Sequence, residues 1–411
     1  MITKQNIYHL LVLFTLISFG FFGSLSHLFS LSLITLMCAE YIRSDKEFKN
    51  NNRASTLYFA LSGCFFLFLF TSLFHSGFGT VFDSLAPMLP IPIIGMLLIF
   101  HNRTKFKLSS KKLSQFSQIS ILFALIIYLL LKLIAGTDTS FHHFHSGRLT
   151  LFSGNPIPFS FCMLGISIFC LANWQYSTKK NKIIAFLLFL TGAYFAGYLS
   201  GTRGTLLALL LVFTLVIFYI FNELRTRFFI ISTFAFVGIV IFQISLGSDL
   251  ENSYFIRIKS GFETITVLEN NDYSIWLRLD MWSAGIKAFF EAPIFGYGIN
   301  ERFTALKPYL NNSNINFTHP HNDIIAGFLS SGVLGGVAVL ISLVSGFAIA
   351  IFNPKWSSIR LYFGLMISCS TMVTGNVSTV LFNDISAAWL AFSTYLVWAT
   401  DFEDDQSRLP N

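Results

Sequence analysis

Three arginines occupy positions where each could bind a phosphate group. Arg203 lies between two glycines in the run LSGTRG, Arg148 precedes the run GNP, and Arg278 lies between two tryptophans in WLRLDMW. A guanidinium presents five N–H donors in a planar fork that suits bidentate binding of a phosphate. The alternatives are a lipid-headgroup anchor for Arg203, an interfacial snorkelling side chain for Arg148 and a helix-surface ion pair for Arg278. Together the three could hold a diphosphate.

The run THPHND carries the second candidate chemistry, because it contains two histidines at the start of an apolar segment. A histidine with a pKa near 6.5 can be neutral outside the cell and accept a proton from a sugar hydroxyl. We therefore consider His321 a candidate general base, supported by His319 and Asn322. Asn322 and Asp323 could instead cap the helix that follows, and His321 itself could be a capping or interfacial residue.

A metal site is not favoured by the histidine pattern. His142, His143 and His145 lie close together in sequence, as do His319 and His321, but no carboxylate or cysteine completes a known ligand pattern. The chain also shows no phosphate-binding glycine loop of the nucleotide type. We expect no metal and no cofactor, so the energy for any reaction must come from the substrate.

The composition indicates a membrane protein. Of the 411 residues 54% are hydrophobic and 11% are charged, whereas a soluble domain carries about a quarter charged residues. The net charge of +7 does not indicate a nucleic-acid partner, because the basic residues form short clusters between apolar runs. The five cysteines all lie in apolar segments, so we expect no disulfide. Membrane lipids are the expected surroundings.

The apolar runs predict an all-α protein with about twelve membrane spans, because backbone groups in lipid must be paired within a helix. The first run follows Lys4 without a small-residue cleavage site and reads as an uncleaved span. The predicted spans are about 7–23, 25–42, 55–74, 87–100, 114–134, 157–173, 183–199, 204–221, 228–246, 322–352, 361–376 and 385–400.

The distribution of basic residues predicts the orientation. With the N-terminus in the cytoplasm, most of the 27 basic residues fall in inside segments, and short outside loops are nearly free of them. Both termini are therefore predicted to be cytoplasmic. Arg148 and Arg203 are basic residues that lie in short outer loops, against this rule. We therefore consider both to be candidate functional residues.

One polar segment is too long to be a turn and predicts an extracytoplasmic loop domain over 247–320. Within it, Ser274–Phe290 has apolar residues at helical spacing and predicts an amphipathic helix near the membrane surface. The chain then divides into spans 1–9 over 1–246, the loop domain, spans 10–12 over 321–400 and a cytoplasmic tail over 401–411.

These motifs, taken in order, resemble the bacterial O-antigen ligases, within a superfamily shared with O-antigen polymerases and protein O-oligosaccharyltransferases. The resemblance covers the whole architecture, including the large loop before the tenth span. The motifs that carry it are Gly147-Arg148 with Gly154-Asn155-Pro156, Ser200-Gly201-Thr202-Arg203-Gly204, Arg278-Leu279-Asp280-Met281-Trp282, Phe295-Gly296-Tyr297-Gly298, and His319-Pro320-His321-Asn322 followed by Gly332 and Gly335.

The resemblance implies transfer of a preassembled glycan from undecaprenyl diphosphate to the lipid A-core oligosaccharide, at the periplasmic face of the inner membrane, without ATP or a metal. It makes Arg203 and Arg278 diphosphate binders and His321 the base for the acceptor hydroxyl. Arg148 and Asp384 match the family pattern less closely; Asp384 corresponds to an acid in the last outer loop. The mechanism implied is inverting.

The chain departs from the family pattern at Asp323-Ile324-Ile325 and Phe328-Leu329-Ser330-Ser331, where many relatives have a leucine and a glutamate.

Three alternative functions remain open from the sequence. An O-antigen polymerase uses the same donor, and a protein O-oligosaccharyltransferase usually has a larger C-terminal extracytoplasmic region. A transporter or flippase would place charges in mid-bilayer and often show repeated halves, and neither feature is visible here.

Overall fold

A computed structural model describes the chain over residues 3–21, 25–43, 52–75, 78–101, 104, 106–135, 144–145, 148–228, 230–232, 260, 263–264, 272–311 and 319–402. The predicted span over 228–246 and the tail over 401–411 fall almost wholly outside these residues, as do His142 and His143.

The described chain is built from α-helices. In chain order they are α1 (Lys4–Phe21), α2 (Leu25–Arg43), α3 (Asn52–Leu73), α4 (Phe78–Leu85), α5 (Pro90–His101), α6 (Ser110–Ala135), α7 (Pro156–Cys170), α8 (Lys179–Tyr194), α9 (Arg203–Ile220), α10 (Tyr273–Glu291), α11 (Gly298–Leu306), α12 (Asp323–Leu343), α13 (Ser345–Phe352), α14 (Ser358–Val377) and α15 (Asp384–Ala399). The all-α prediction is confirmed.

Two strand pairs add little to this architecture, since each strand has two residues. β1 (Leu108–Ser109) pairs in parallel with β4 (Thr400–Asp401), and β2 (Phe144–His145) pairs antiparallel with β3 (Arg148–Leu149). Arg148 lies in the second strand of the antiparallel pair and pairs with His145, so this pairing positions the backbone of the arginine.

Seven of the described helices are long and apolar enough to cross a membrane, which makes the chain a multi-pass membrane protein. An eighth span arises if the bent pair Thr80–Met88 and Pro90–His101 counts as one, with an angle of 53° between its parts. The predicted span over 87–100 corresponds to the second part of this pair. The prolines at 90 and 92 explain the bend, because proline cannot donate the backbone hydrogen bond that would continue the preceding turn.

Helices α7 and α15 form the centre of the bundle. Every residue of α7 except Ile157 is buried, as is every residue of α15 from Ile385 to Ala399. A helix that is apolar on all sides is expected to be surrounded by others. The two meet where Gly165 faces the indole of Trp389, and a Cβ at Gly165 would lie 2.4 Å from that ring.

The segment predicted as one span over 322–352 is broken in the structure. Ser331 and Gly332 have non-helical backbone angles inside α12, and a further break at Val344 separates α12 from α13. Residues eight apart in a straight helix lie about 12 Å apart, yet a Cβ at Gly327 would come within 2.8 Å of the carbonyl oxygen of Gly335. The two halves of α12 therefore fold against each other.

A turn from the loop region fills this break. The N–H of Val333 donates to the carbonyl of Pro293 at 2.8 Å, and the N–H of Tyr297 donates to the carbonyl of Leu329 at 2.7 Å. Gly332 has a φ of +63°, and a Cβ there would lie 2.2 Å from the carbonyl oxygen of Ile294. The glycine at this position therefore leaves room for the backbone turn.

The predicted amphipathic helix is present as α10, which packs with α11 in a small core of its own. The residues buried there are Leu277, Met281, Ala284, Ala288, Phe303, Leu306, Leu310 and Leu329. Ile275 and Leu279 of the same helix line a cavity instead. Trp282 lines that cavity and also packs against the small core. The helix therefore has apolar residues toward both α11 and the cavity.

Candidate active site

A cavity of about 240 Å³ lies where α7, α9 and α10 begin and α14 ends. Its polar wall contains the three arginines singled out from the sequence, Arg148, Arg203 and Arg278. Its other lining residues are Ile157, Gly201, Thr202, Gly204, Thr205, Leu207, Ser274, Ile275, Leu279, Trp282, Thr374, Val377 and Ser378. The structure thus brings together arginines that are up to 130 positions apart in sequence.

Arg203 is the first residue of α9 and forms a bidentate ion pair with Asp272. Nη1 donates to Oδ2 at 2.6 Å and Nη2 donates to Oδ1 at 3.2 Å. Asp272 is the N-cap of α10 and also accepts from the backbone N–H of Ile275 at 3.0 Å. Burial alone raises the pKa of the Asp272 carboxyl, but these hydrogen bonds and the charge of Arg203 bring the pKa below its usual value. The carboxylate is therefore charged at neutral pH.

Arg148 is held against the turn that precedes Arg203. Its Nε donates to the carbonyl of Ser200 at 2.7 Å and its Nη2 donates to Oγ1 of Thr202 at 3.0 Å. Gly201, between those two residues, has a φ of +59°, and a Cβ there would lie 3.3 Å from the Arg148 side chain. The SGTRG run is thus a turn in which Gly201 has a left-handed backbone conformation. The turn accepts hydrogen bonds from Arg148 and leads directly into Arg203. A π-helical segment over Phe195–Leu199 leads into it.

Arg278 projects from α10 and bridges to the end of α14. Its Nε donates to the carbonyl of Val377 at 3.0 Å, and its Nη1 donates to the carbonyl of Ser274 at 2.8 Å and to the Ser274 hydroxyl. Carbonyl acceptors at the C-terminus of a helix attract cations. The guanidinium is therefore positioned by both helices that it joins.

His319 and His321 are not among the residues that line this cavity, although the charge of Arg278 acts on both imidazoles. Their ring centroids are 4.3 Å apart at an angle of 78°, and Nδ1 of His319 accepts from the backbone N–H of His321 at 3.3 Å. His321 has a φ of +53°, which is uncommon for a residue with a side chain. Backbone held in such a region costs about 1 kcal/mol or more and is concentrated at functional sites.

Both histidines are strongly biased toward the neutral form. Burial, the neighbouring His319 and the charge of Arg278 lower the pKa of His321 to about 3. Burial and the charges of Arg302 and Arg278 lower the pKa of His319 to about 4. A neutral imidazole can accept a proton, so His321 meets the first requirement for a general base at neutral pH.

Asn322 and Asp323 fix the histidine segment to the rest of the bundle. Asn322 caps α12 by accepting from the N–H of Ile325 at 3.0 Å, and its amide donates to the carbonyl of Asn376 at 3.1 Å. Asp323 is fully buried, and its Oδ2 accepts from the N–H groups of Val380 and Leu381 at 2.7 and 3.1 Å. The capping role foreseen for Asn322 is present, and the link to Asn376 adds to it.

Two charged residues that act on the candidate site were not predicted from the sequence: Asp272, which pairs with Arg203, and Arg302, whose charge acts on His319. The guanidinium carbon of Arg302 lies 3.9 Å from the ring centroid of Phe382, and burial lowers its pKa to about 10, although the charge of Asp323 opposes that shift. Its sequence context, ERF in a polar segment, is typical of a solvated helix surface. Asp272 could have been identified from its position immediately before an apolar helical segment, which is typical of an N-cap residue.

Asp384 is not brought to the cavity. It is the first residue of α15 and pairs with His27 of α2, with Nε2 and Oδ2 3.5 Å apart. Among the described residues that line the cavity, neither of these two occurs. The structure thus separates Asp384 from the arginines with which the resemblance grouped it.

The electrostatic character of the cavity follows from four side chains. Arg148, Arg203 and Arg278 contribute three positive charges, and Asp272 contributes one negative charge through its pair with Arg203. Fixed guanidinium groups in a partly closed site stabilise an anion without reorganisation when charge develops. The apolar lining, with Leu207, Leu279 and Trp282, suits the hydrocarbon next to such an anion. The site can therefore hold an amphipathic anion.

Two comparisons found known sequences that are similar to this chain. The family model described as O-antigen ligase matches residues 184–340, a segment that contains Arg203, Asp272, Arg278, His319 and His321. The chain is also similar to an uncharacterised protein of Haemophilus influenzae, with 23% identity over 315 residues that cover 74% of this chain and 75% of the relative. The resemblance found in the motifs is thereby confirmed.

Proposed function

We propose that this chain, whose residues 184–340 match the O-antigen ligase family model, transfers a preassembled glycan from undecaprenyl diphosphate to the lipid A-core oligosaccharide. The observation that carries the proposal is the convergence of Arg148, Arg203 and Arg278 on one cavity. The charge of Arg278 also acts on the imidazole of His321. A membrane protein acting in glycan assembly requires a site for a lipid-borne anion. This cavity has the charge and the apolar lining for one.

In the proposed complex the arginines bind the diphosphate and the apolar wall takes the first part of the polyprenyl chain. Arg203 and Arg278 approach from α9 and α10, so they can contact different phosphate oxygens. Arg148 supports the turn that presents Arg203 and adds its charge. Diphosphate is a good leaving group that needs charge stabilisation more than protonation, and fixed arginines supply this. The proposal therefore includes no metal and no cofactor.

In the proposed reaction His321 acts on the acceptor. The acceptor hydroxyl oxygen forms a bond to the anomeric carbon, and its proton passes to His321. The bond between that carbon and the phosphate oxygen breaks, and its electron pair remains on the diphosphate. Attack from the face opposite the leaving group gives inversion.

The electrostatics of the site couple donor binding to this proton transfer. The charge of Arg278 is one of the causes of the low pKa of His321. A bound diphosphate offsets that positive charge, so it raises the proton affinity of the imidazole. His321 is thus a weak base in the empty site and a better one when the donor is present. His319 and Asn322 support it by position.

The proposal places the protein in the bacterial inner membrane, with both termini in the cytoplasm and the cavity facing the periplasm. The basic inside loops support this orientation. Asp384 has no part in the proposed transfer, because it pairs with His27 away from the cavity lining.

The lipopolysaccharide of a deletion strain tests the ligase reaction against its nearest alternative. Loss of a ligase leaves core alone on a gel, while polymerised glycan accumulates on the carrier lipid. Loss of a polymerase leaves core bearing a single repeat, and that result would reassign the activity. Complementation with the wild-type chain restores the full ladder in the first case.

A further inference from the structure

Asp272 is a negative charge built into an otherwise positive site. Its side chain is 9% exposed and that of Arg203 is 20% exposed, so the pair is largely shielded from solvent. The carboxylate holds both terminal nitrogens of the guanidinium, at 2.6 and 3.2 Å. A site that only needed to attract a diphosphate would be stronger without this acid, because the acid repels every anion that enters.

Several contacts hold Asp272 in place. Its backbone N–H donates to Oγ1 of Thr264 at 2.7 Å, its Oδ1 accepts from the N–H of Ile275 at 3.0 Å, and Oγ of Ser260 lies 3.4 Å from its Oδ2. The acid cannot swing away when an anion binds without giving up the cap of α10. Its charge therefore remains next to Arg203 throughout a reaction cycle.

The proposed reaction changes the charge of the lipid ligand. A glycan-linked polyprenyl diphosphate is a diester with two negative charges. Transfer breaks the bond to the sugar and leaves a diphosphate monoester, whose terminal phosphate has a second pKa of about 6 and so carries nearly one charge more at neutral pH. The product is thus bound more tightly than the donor by any purely positive site.

We propose that Asp272 is a specificity-determining residue that lowers the preference of the arginine site for the diphosphate monoester over the diester, and so promotes release of the spent carrier lipid. This inference rests on the proposed function, since it assumes that the cavity binds lipid diphosphates. The carboxylate repels a ligand in proportion to the ligand's charge. It therefore weakens binding of the monoester more than binding of the diester.

The test compares two soluble probes on the purified full chain in detergent. Farnesyl diphosphate represents the monoester, and farnesyl diphosphate linked to N-acetylglucosamine represents the diester. Asp272→Asn and Asp272→Ser remove the charge but keep residue types that cap helices well. Glu291→Gln removes the same charge from the other end of α10, about 28 Å away, and is the matched control.

We expect both neutral variants at Asp272 to bind the monoester more tightly. The ratio of the two dissociation constants should change in its favour by roughly tenfold, as one unit charge at about 6 Å and an effective dielectric constant of about 40 predicts. Glu291→Gln should leave the ratio unchanged. In turnover assays the Asp272 variants should show stronger inhibition by farnesyl diphosphate.

Two results would overturn the inference and leave the proposed function intact. The first is equal weakening of both probes in the Asp272 variants, which would make the acid only a structural support. The second is an unchanged ratio with normal binding. If instead the wild type binds neither probe, or Arg278→Ala binds both probes as tightly as the wild type, the proposed function itself fails.

Discussion

The side-chain amide of Asn322 donates to the backbone carbonyl of Asn376 at 3.1 Å, and the carbonyl of the next residue, Val377, accepts from Arg278. Asn322, which follows the candidate base His321 in the chain, and one candidate diphosphate-binding arginine are therefore anchored on consecutive residues at the end of α14. The C-terminus of α14 therefore contributes to the spacing between the candidate base and this arginine.

This link predicts different effects for two substitutions of Asn322. Asn322→Ala removes both the cap of α12 and the bond to Asn376, so we expect about 1 kcal/mol loss of stability and a fall in kcat of at least tenfold. Asn322→Asp keeps the cap but not the amide donor, so stability should be retained while kcat still falls. Thermal unfolding in detergent and transfer assays measure the two effects. Full activity of Asn322→Asp would show that the bond is dispensable.

The low pKa of His321 predicts an unusual pH profile. Its pKa is lowered from about 6.5 to about 3 in the folded, ligand-free protein, so the base stays neutral as the pH falls through 6.5. The acidic limb of kcat/KM, which reports the free protein, should therefore lie below pH 5. The limb of kcat should lie higher, because a bound diphosphate raises the proton affinity of His321. A kcat/KM limb near pH 6.5 would contradict the buried environment.

Arg278 should be sensitive to replacement by lysine. A lysine keeps the charge but cannot donate to both Val377 and Ser274 while binding a phosphate, because it lacks the planar fork. We expect Arg278→Lys to lower kcat/KM by roughly tenfold to a hundredfold, mainly through weaker donor binding. Lys287→Arg, on the same helix, is the control and should behave as wild type. Equal activity of both variants would mean that only the charge at position 278 matters.

The packing of α7 against α15 predicts a stability difference between two glycines. A Cβ at Gly165 would meet the Trp389 indole at 2.4 Å, whereas a Cβ at Gly63 meets nothing within 4 Å. Gly165→Ala should lower stability by about 1–3 kcal/mol through overpacking. Gly63→Ala should be neutral or slightly stabilising, because alanine favours the helix. Melting temperatures in one detergent compare the two, and equal values would contradict the observed contact.

The sequence predicted those features of the site that depend on residue type and local context. An arginine between glycines, an arginine flanked by tryptophans and the run HPHN each carry a local signal. The structure brings both arginines to one cavity, and the charge of Arg278 acts on His321. The helical class followed from apolar length. These properties can be predicted from the sequence because each depends on a few neighbouring residues.

Contacts between residues that are far apart in the sequence could not be predicted in the same way. Nothing near Asp272 in sequence indicates Arg203, which lies 69 positions away, and Asp384 was grouped with the arginines although it pairs with His27. The break at Gly332 was missed because its cause, a turn from residues 293–297, docks from elsewhere in the chain. On α10 the periodicity fitted two apolar faces, so it could not identify which one is buried against α11.

Transfer by the His321→Ala variant tests the central claim most directly. Purified wild type and variant are each given a lipid-linked glycan donor and lipid A-core acceptor, and donor affinity is measured alongside with farnesyl diphosphate. We predict that the variant binds the probe within about twofold of wild type, since the arginines remain, and forms product at least a thousandfold more slowly, within the range that general base catalysis supplies. Transfer by His321→Ala at the wild-type rate would contradict the account.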